Sequence, residues 1–288
     1  VTARQAAERH TGVRAATSRP LGADAAVVTL EDGAEVVVKR GQGSGATMAE
    51  AAGLRWLGEY GDVPVPAVRG HDDTWLVIDH VAPGTPSREA AERFGRGLAA
   101  LHARSAPAFG SPPPGGPGEA WIGLAPMRNE PHEDWPTFYA RCRVRPYVRE
   151  AARQGLFTAG ETAVFDEVCD RLPDLSPSPE PPARLHGDAW SGNVHWAADG
   201  AVWLIDPAAH GGHRETDLAM LRLFGTPLLD HVLGAYDEAA RDAGTPLAPG
   251  VEARVPLHQL FPLLVHAVLF GGGYVAQALT AARAALRA

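Results

Sequence analysis

The chain has 288 residues, 45% of them hydrophobic, and a formal net charge of −8 at pH 7. That length buries a sizeable core and allows more than one lobe, the acidic balance argues against a general nucleic-acid or membrane-surface binder, and no apolar run reaches the ~18 residues of a membrane span. The two cysteines, Cys142 and Cys169, make neither a disulfide framework nor a metal-ligand spacing and point to a reducing cytoplasm, and the polar start VTARQAAERH does not read as a secretory leader.

Thr2–His10 reads as a short helix. AAVVTLEDGAEVVVK follows, two β-rich runs around Asp32-Gly33, the dipeptide of a tight hairpin. In TMAEAAGLRWLGEYG, apolar residues at Met48, Ala51, Leu54 and Leu57 have helical spacing, with Gly61 as a stop. VPVPAV breaks that helix and TWLVIDHV is β-rich again. The first 81 residues therefore predict a small antiparallel sheet carrying one main helix. Residues 82–87, APGTPS, read as a hinge linker. From 88 to 288 the pattern is mainly helical. Ser87 caps a helix through REAAERFGRGLAALHA. Residues 106–123 form a long Pro/Gly loop of the kind that carries function or moves. Asp134–Arg153 and Thr158–Arg171 read as helices, SPSPEPP as a break, and VHWAADGAVWLID as a hairpin turning at Asp199-Gly200. From Glu215 onward the chain reads as helix interrupted at Pro227, Pro246, Pro256 and Pro262.

Lys39 is the only lysine in the chain, and all other side-chain positive charge is arginine or histidine. A lysine presents a compact point charge, unlike the planar guanidinium, so it suits a phosphate. RLHGDAWSGNVHW then sets Asp188 five residues before Asn193, and AVWLIDP ends a strand on Asp206. Phosphoryl transfer needs a carboxylate to take the proton of the attacking hydroxyl and oxygen ligands for Mg²⁺. It also needs a lysine on the phosphates, which a helix glutamate usually holds. Lys39, Glu50, Asp188, Asn193 and Asp206 supply these in order. Protein kinases show the same order as Lys, Glu, H-R-D-x-x-x-x-N and D-F-G. The resemblance implies an α+β, protein-kinase-like fold of two lobes. The glycine-rich phosphate loop is reduced here to Gly22 in SRPLGADAAVV, and GQGSGA after Lys39 reads as a strand-to-helix link.

LHGDAWSGN, IDPAAHGGHRETDLAMLRLFG, YARCRVRPYV, VVVKRG and MAEAAGLRWL together resemble the fructosamine kinase (ketosamine-3-kinase) family, a branch of the aminoglycoside-phosphotransferase-like kinases. The resemblance covers essentially the whole chain. It implies an ATP- and Mg²⁺-dependent transfer to the 3-hydroxyl of a ketoamine, free or on a glycated protein side chain, as a deglycation step. Asp188 would be the base, Asn193 and Asp206 the Mg²⁺ ligands, and Lys39 with Glu50 the phosphate-positioning pair. Asp79, His80 and Val81 in VIDHV would form the adenine-binding hinge through backbone groups. Trp190, beside the base, and His213, in GGHRE, are the expected substrate contacts; Trp190 offers a face for a sugar or amine, with a core tryptophan as the alternative. His210 and His213 lack a third ligand at metal spacing, Asp217 reads as a cap or a brace for the catalytic loop, and Arg141, Arg143 and Arg145 read equally as site-lining or solvated. Ala189 stands where the family pattern has leucine. A monomer or weak dimer is expected. The alternatives are a kinase of another amino-sugar or amino-alcohol, and a nucleotide-binding pseudokinase.

Overall fold

The computed structural model describes residues 1–176 and 179–288; residues 177 and 178, inside the expected break, lie outside the described residues. The N-terminal lobe is one antiparallel sheet of β1 (Ala15–Pro20), β2 (Ala25–Leu30), β3 (Glu35–Arg40), β4 (Val68–His71) and β5 (Trp75–Asp79), in the order β1-β2-β3-β5-β4. Alternation along β2, β3 and β5 sends Val28, Val36, Val38 and Val77 to one face and Val27, Val37, Leu76 and Ile78 to the other. The first face packs on Ala6 and Ala7 of α1 (Ala3–Thr11), which starts on a Thr2–Gln5 capping box. The second packs on Ala51 and Leu54 of α2 (Ala46–Gly58). The hairpin at Asp32-Gly33 and both helices match the sequence reading. The edge strands β1 and β4 were not expected. Only Ala15 of β1 is buried and β4 has four residues, so neither shows a buried face by which a strand is recognised.

Ser87 caps α3 (Arg88–Ala103) through the Ala90 N–H, as expected. The Pro/Gly segment runs into an unexpected hairpin, β6 (Glu119–Ile122) and β7 (Ala125–Arg128). The single helix expected at Asp134–Arg153 is instead α4 (Trp135–Phe138), a π-helical stretch Tyr139–Val144, and α5 (Arg145–Arg153). After α6 (Ala159–Leu175), two short strand pairs frame the site: β8 (Ala183–Leu185) with β11 (His210–Gly212), and β9 (Val194–Trp196) with β10 (Val202–Leu204). α7 (Glu215–Leu221), α8 (Leu229–Asp242), α9 (Val251–Phe270) and α10 (Gly273–Ala285) complete the lobe.

Neither Pro256 nor Pro262 breaks α9. The Tyr139 hydroxyl enters the helix one turn before Pro262, donating to Leu257 O at 2.8 Å and accepting from the Phe261 N–H at 3.2 Å. A side chain thus replaces backbone pairing where the proline disturbs it. By length and composition α9 is the one helix among the described residues apolar enough to cross a membrane, and half of its apolar window is buried within the fold.

Candidate active site

Asp188 and Asn193 lie in the loop between β8 and β9. Gly187 has φ +79°, and a Cβ there would collide with the Ala208 carbonyl, so only glycine lets the loop lie against the segment after Asp206. His186 donates from Nε2 to Ile205 O at 2.9 Å and accepts the Asp188 N–H on Nδ1 at 3.3 Å. Asp217 of α7, fully buried, accepts the His186 and Gly187 N–H groups at 2.8 and 3.0 Å, and the His102 Nε2–H at 3.2 Å. The Tyr236 hydroxyl lies 3.0 Å from His102 Nδ1. Burial pushes the Asp217 carboxyl up, but these donors outweigh it and hold it below the ordinary aspartate range. Asp217 is therefore the brace of the loop that carries Asp188, one of the two roles its place in RETDLAM suggested.

Asn193 is 5% exposed, and its Nδ2 donates to Asp188 O at 2.8 Å and Asp188 Oδ2 at 2.9 Å. That leaves its amide oxygen for a cation. Asp206, half-exposed, takes a left-handed backbone with φ +54° at the end of the β9–β10 hairpin. Aspartate tolerates that conformation at a cost of ~1–2 kcal/mol, and the turn projects its carboxylate to Lys39 at 2.8 Å. Lys39 reaches Glu50 of α2 at 2.7 Å in the same geometry. Burial opposes the lysine's charge, yet Glu50 and Asp206 more than offset it and raise its pKa. Burial likewise raises Glu50 against the pull of Lys39. Asp188 is pushed up to about 7, mainly by burial, with the Asn193 hydrogen bond pulling down and the Asp206 and Asp217 charges pushing up.

Lys39, Glu50, Asp188, Asn193 and Asp206 line one cavity of about 430 Å³ between the lobes. Leu21 and Asp24, from the turn between β1 and β2, and Gln42 close its sheet side. Trp190 also lines it, its ring over Gly192 and edge-on to Phe224 at 5.9 Å. Trp121, Leu124, Asn129, His266 and Phe270 are cavity residues that the sequence reading missed. They come from the β6–β7 hairpin and its flank and from α9, far from any motif. The aromatic run LFGGGY was the only local hint.

Other expected residues lie elsewhere. Asp79, His80 and Val81 do not line this cavity, which reaches β5 at Leu76. The Asp79 and His80 N–H groups donate to Ala67 O and Glu35 O, and Val81 O accepts from His195 Nε2 at 3.0 Å. Among the described residues no hydrogen bond engages the Val81 N–H. His213 is not at the cavity: 3% exposed, it sits with Glu215 and His258 beneath Trp135. The third group that sequence spacing could not supply comes from α9, and the three donor sets fall within 4.8 Å of one another. Glu215 is already engaged by both Nε and Nη2 of Arg254, and the Glu215 N–H occupies His213 Nδ1 at 3.2 Å. Of the three arginines, Arg141 is exposed and Arg145 pairs with Asp170, while buried Arg143 holds Asn129 Oδ1 at 2.7 Å and so acts on the cavity indirectly. Both cysteines are free and buried.

Comparisons with known proteins give the chain's relatives and its fold. A "Probable ketoamine kinase" of Lactiplantibacillus plantarum is 34% identical over 228 residues, 78% of this chain and 76% of that one. The crystal structure of a Thermobifida fusca protein, provisionally named fructosamine-3-kinase, matches with a TM-score of 0.91 at 46% identity, over 99% of this chain and 98% of that one. The choline kinase LicA of Streptococcus pneumoniae matches with a TM-score of 0.62 at 14% identity, over 99% of this chain and 98% of that one, and shows the fold alone. The sequence model of fructosamine kinase matches residues 8–288. The chain therefore belongs to the fructosamine kinase family and has the protein-kinase-like fold of its phosphotransferases.

Proposed function

We propose that the protein transfers the γ-phosphoryl group of ATP to the 3-hydroxyl of a ketoamine. The observation that carries this is the placement of Asp188 in one cavity with the Lys39–Glu50–Asp206 cluster and an aromatic wall. A buried carboxyl with a pKa of about 7 suits a general base near neutral pH. Asp188 takes the proton of the substrate O–H as the oxygen attacks the γ-phosphorus, and the bond to the ADP oxygen breaks. Lys39 neutralises the phosphates, held there by Glu50. The adenine would lie towards the free Val81 N–H.

The hard oxygen donors of Asp206 and Asn193 suit Mg²⁺. When bound, the ion neutralises the phosphate oxygens and lowers the cost of gathering charge at the transition state. From the C-terminal lobe the cavity lining includes Trp121, Ile122, Leu124, Trp190, His266 and Phe270, and its only carboxylates there are Asp188 and Asp206. Such a wall suits a single sugar on one amine better than a polycationic aminoglycoside. The product would carry phosphate at C3. Enolisation towards C1 makes that group allylic, and its loss followed by imine hydrolysis frees the amine. This is the deglycation step, on a free ketoamine or a glycated side chain. The test is ³¹P NMR with fructosyl-lysine, ribulosyl-lysine and kanamycin supplied separately with Mg²⁺ and ATP. Ketoamine phosphate is expected; phosphokanamycin as the only product would overturn the ketoamine reading and leave a kinase.

A further inference from the structure

Two segments supply no catalytic group to the chemistry above: the Gly-rich link Gly41–Gly45 before α2, and the β6–β7 hairpin with the Pro/Gly segment that leads into it. The structure brings them together. Trp121 of β6 donates from Nε1 to Ser44 O at 3.1 Å, and a Cβ on Gly43 would collide with its six-membered ring. Only a residue without a side chain leaves room for the indole on that link. Nearby, Pro117 Cγ would lie 3.6 Å from a Cβ on Gly45, the residue that precedes α2. One turn and more into the helix, Gly116 packs on Ala52, whose Cβ would be 3.2 Å from a Cβ on Gly116. A C-terminal-lobe element thus touches α2 at its start and along its side, on either side of Glu50 in the sequence.

We infer that the β6–β7 hairpin is a latch between the lobes, with Trp121 a positioning residue that holds α2 where Glu50 meets Lys39. The inference rests on the kinase reading of Lys39 and Glu50 and not on the identity of the acceptor. α2 starts without a side-chain cap, so its own sequence does little to fix its first turn. The Lys39–Glu50 pair must be formed for phosphates to be placed, and misplacement by an ångström costs heavily in rate. Trp121 also lines the cavity, so the latch borders the site it positions.

The test uses Trp121→Ala, Gly43→Ala and the double variant, each checked for thermal unfolding. Hydrogen exchange of Ala46–Gly58, affinity for a fluorescent ATP analogue, and kcat are measured. Each single variant is expected to speed exchange of α2 selectively and to lower kcat about tenfold. Gly43→Ala should add little on the Trp121→Ala background, because the added methyl then meets no ring. Trp121→Phe keeps an aromatic ring but loses the Nε1 donor to Ser44 O and the outer ring atoms, so its α2 exchange should lie between that of the wild type and that of Trp121→Ala. Unchanged α2 exchange and nucleotide affinity in either folded single variant would overturn the latch, as would additive losses in the double variant. Lowered ketoamine turnover with unchanged α2 exchange would make Trp121 a substrate contact only. Since α2 exchange and nucleotide affinity need no acceptor, a failed ketoamine assay leaves this test intact.

Discussion

Two clusters of ionisable side chains lie in the C-terminal lobe or at its edge, and they are built in opposite ways. The cluster of His213, Glu215 and His258 is sealed: its members are at most 3% exposed, and Arg254 grips Glu215 with two hydrogen bonds. Burial and the neighbouring histidine hold His213 neutral, and Glu215 is held down at about 2. Charge there is balanced and stays where it is. The cluster of Asp188, Asp206, Lys39 and Glu50 opens to a cavity, and of its three carboxyl groups Glu50 and Asp206 pair with the lysine. One of them, Asp188, accepts a single side-chain hydrogen bond and is pushed up to about 7. Proximity of titratable groups is common to both; access and unbalanced charge separate a reactive site from a structural one.

The comparison breaks most visibly at Asp188. Asp188→Asn keeps the shape and loses the proton acceptor, so kcat should fall by about 10²–10⁴ with nucleotide affinity little changed. Turnover near the wild-type rate would remove Asp188 from the chemistry. Glu215→Gln probes the sealed cluster from the other side. It leaves Arg254 without its charge partner and should cost about 3 kcal/mol of stability in urea unfolding, while kcat of the folded fraction stays within about twofold. Because Glu215 is depressed, its contribution is present above the ordinary carboxylate range and is lost as pH falls towards about 2. A Glu215→Gln enzyme of normal stability with lost activity would put this cluster in the active site.

Lys39→Arg preserves charge and changes shape. The guanidinium cannot meet Glu50, Asp206 and a phosphate as one ammonium does, so kcat/KM should fall about 10²-fold with the fold retained. Trp190→Ala should raise KM for a ketoamine about tenfold and leave nucleotide affinity unchanged, read from initial rates at saturating ATP. The smallest effect is on stability. A raised Asp188 binds its proton more tightly folded than unfolded, so its influence on stability is most favourable below pH 4 and is lost as pH rises through about 7. Asp188→Asn should therefore be more stable to unfolding than the wild type at pH 8, by about 1–2 kcal/mol, and the gain should vanish at pH 4.

Much of this was legible because phosphoryl transfer places its groups at local spacings. Lys39 ends a hairpin, Asp188 and Asn193 share one loop, and Asp206 follows a strand, so short motifs carry the site. Ser87 and the Asp32-Gly33 turn were legible for the same reason. What was hidden depends on contacts made across the chain. His258 reaches His213 from α9, whereas the brace that Asp217 gives a loop about thirty residues away was one of the two roles RETDLAM suggested. The two edge strands bury too little to show alternation. Pro262 read as a breaker because the compensating hydroxyl, Tyr139, lies in a different helix. His213 drew attention as a polar residue in a glycine-rich motif, yet β11 and α7 carry it inward to Trp135.

The central claim is that the carboxyl of Asp188, unlike the sealed carboxylates around it, is poised to accept a proton near neutral pH. Titration of the side-chain carboxyl carbon by ¹³C NMR, assigned by its loss in Asp188→Asn, tests this directly. A midpoint of about 7 is expected in the free protein; a midpoint near 4, the value of an ordinary aspartate, would remove Asp188 as a base poised near neutral pH.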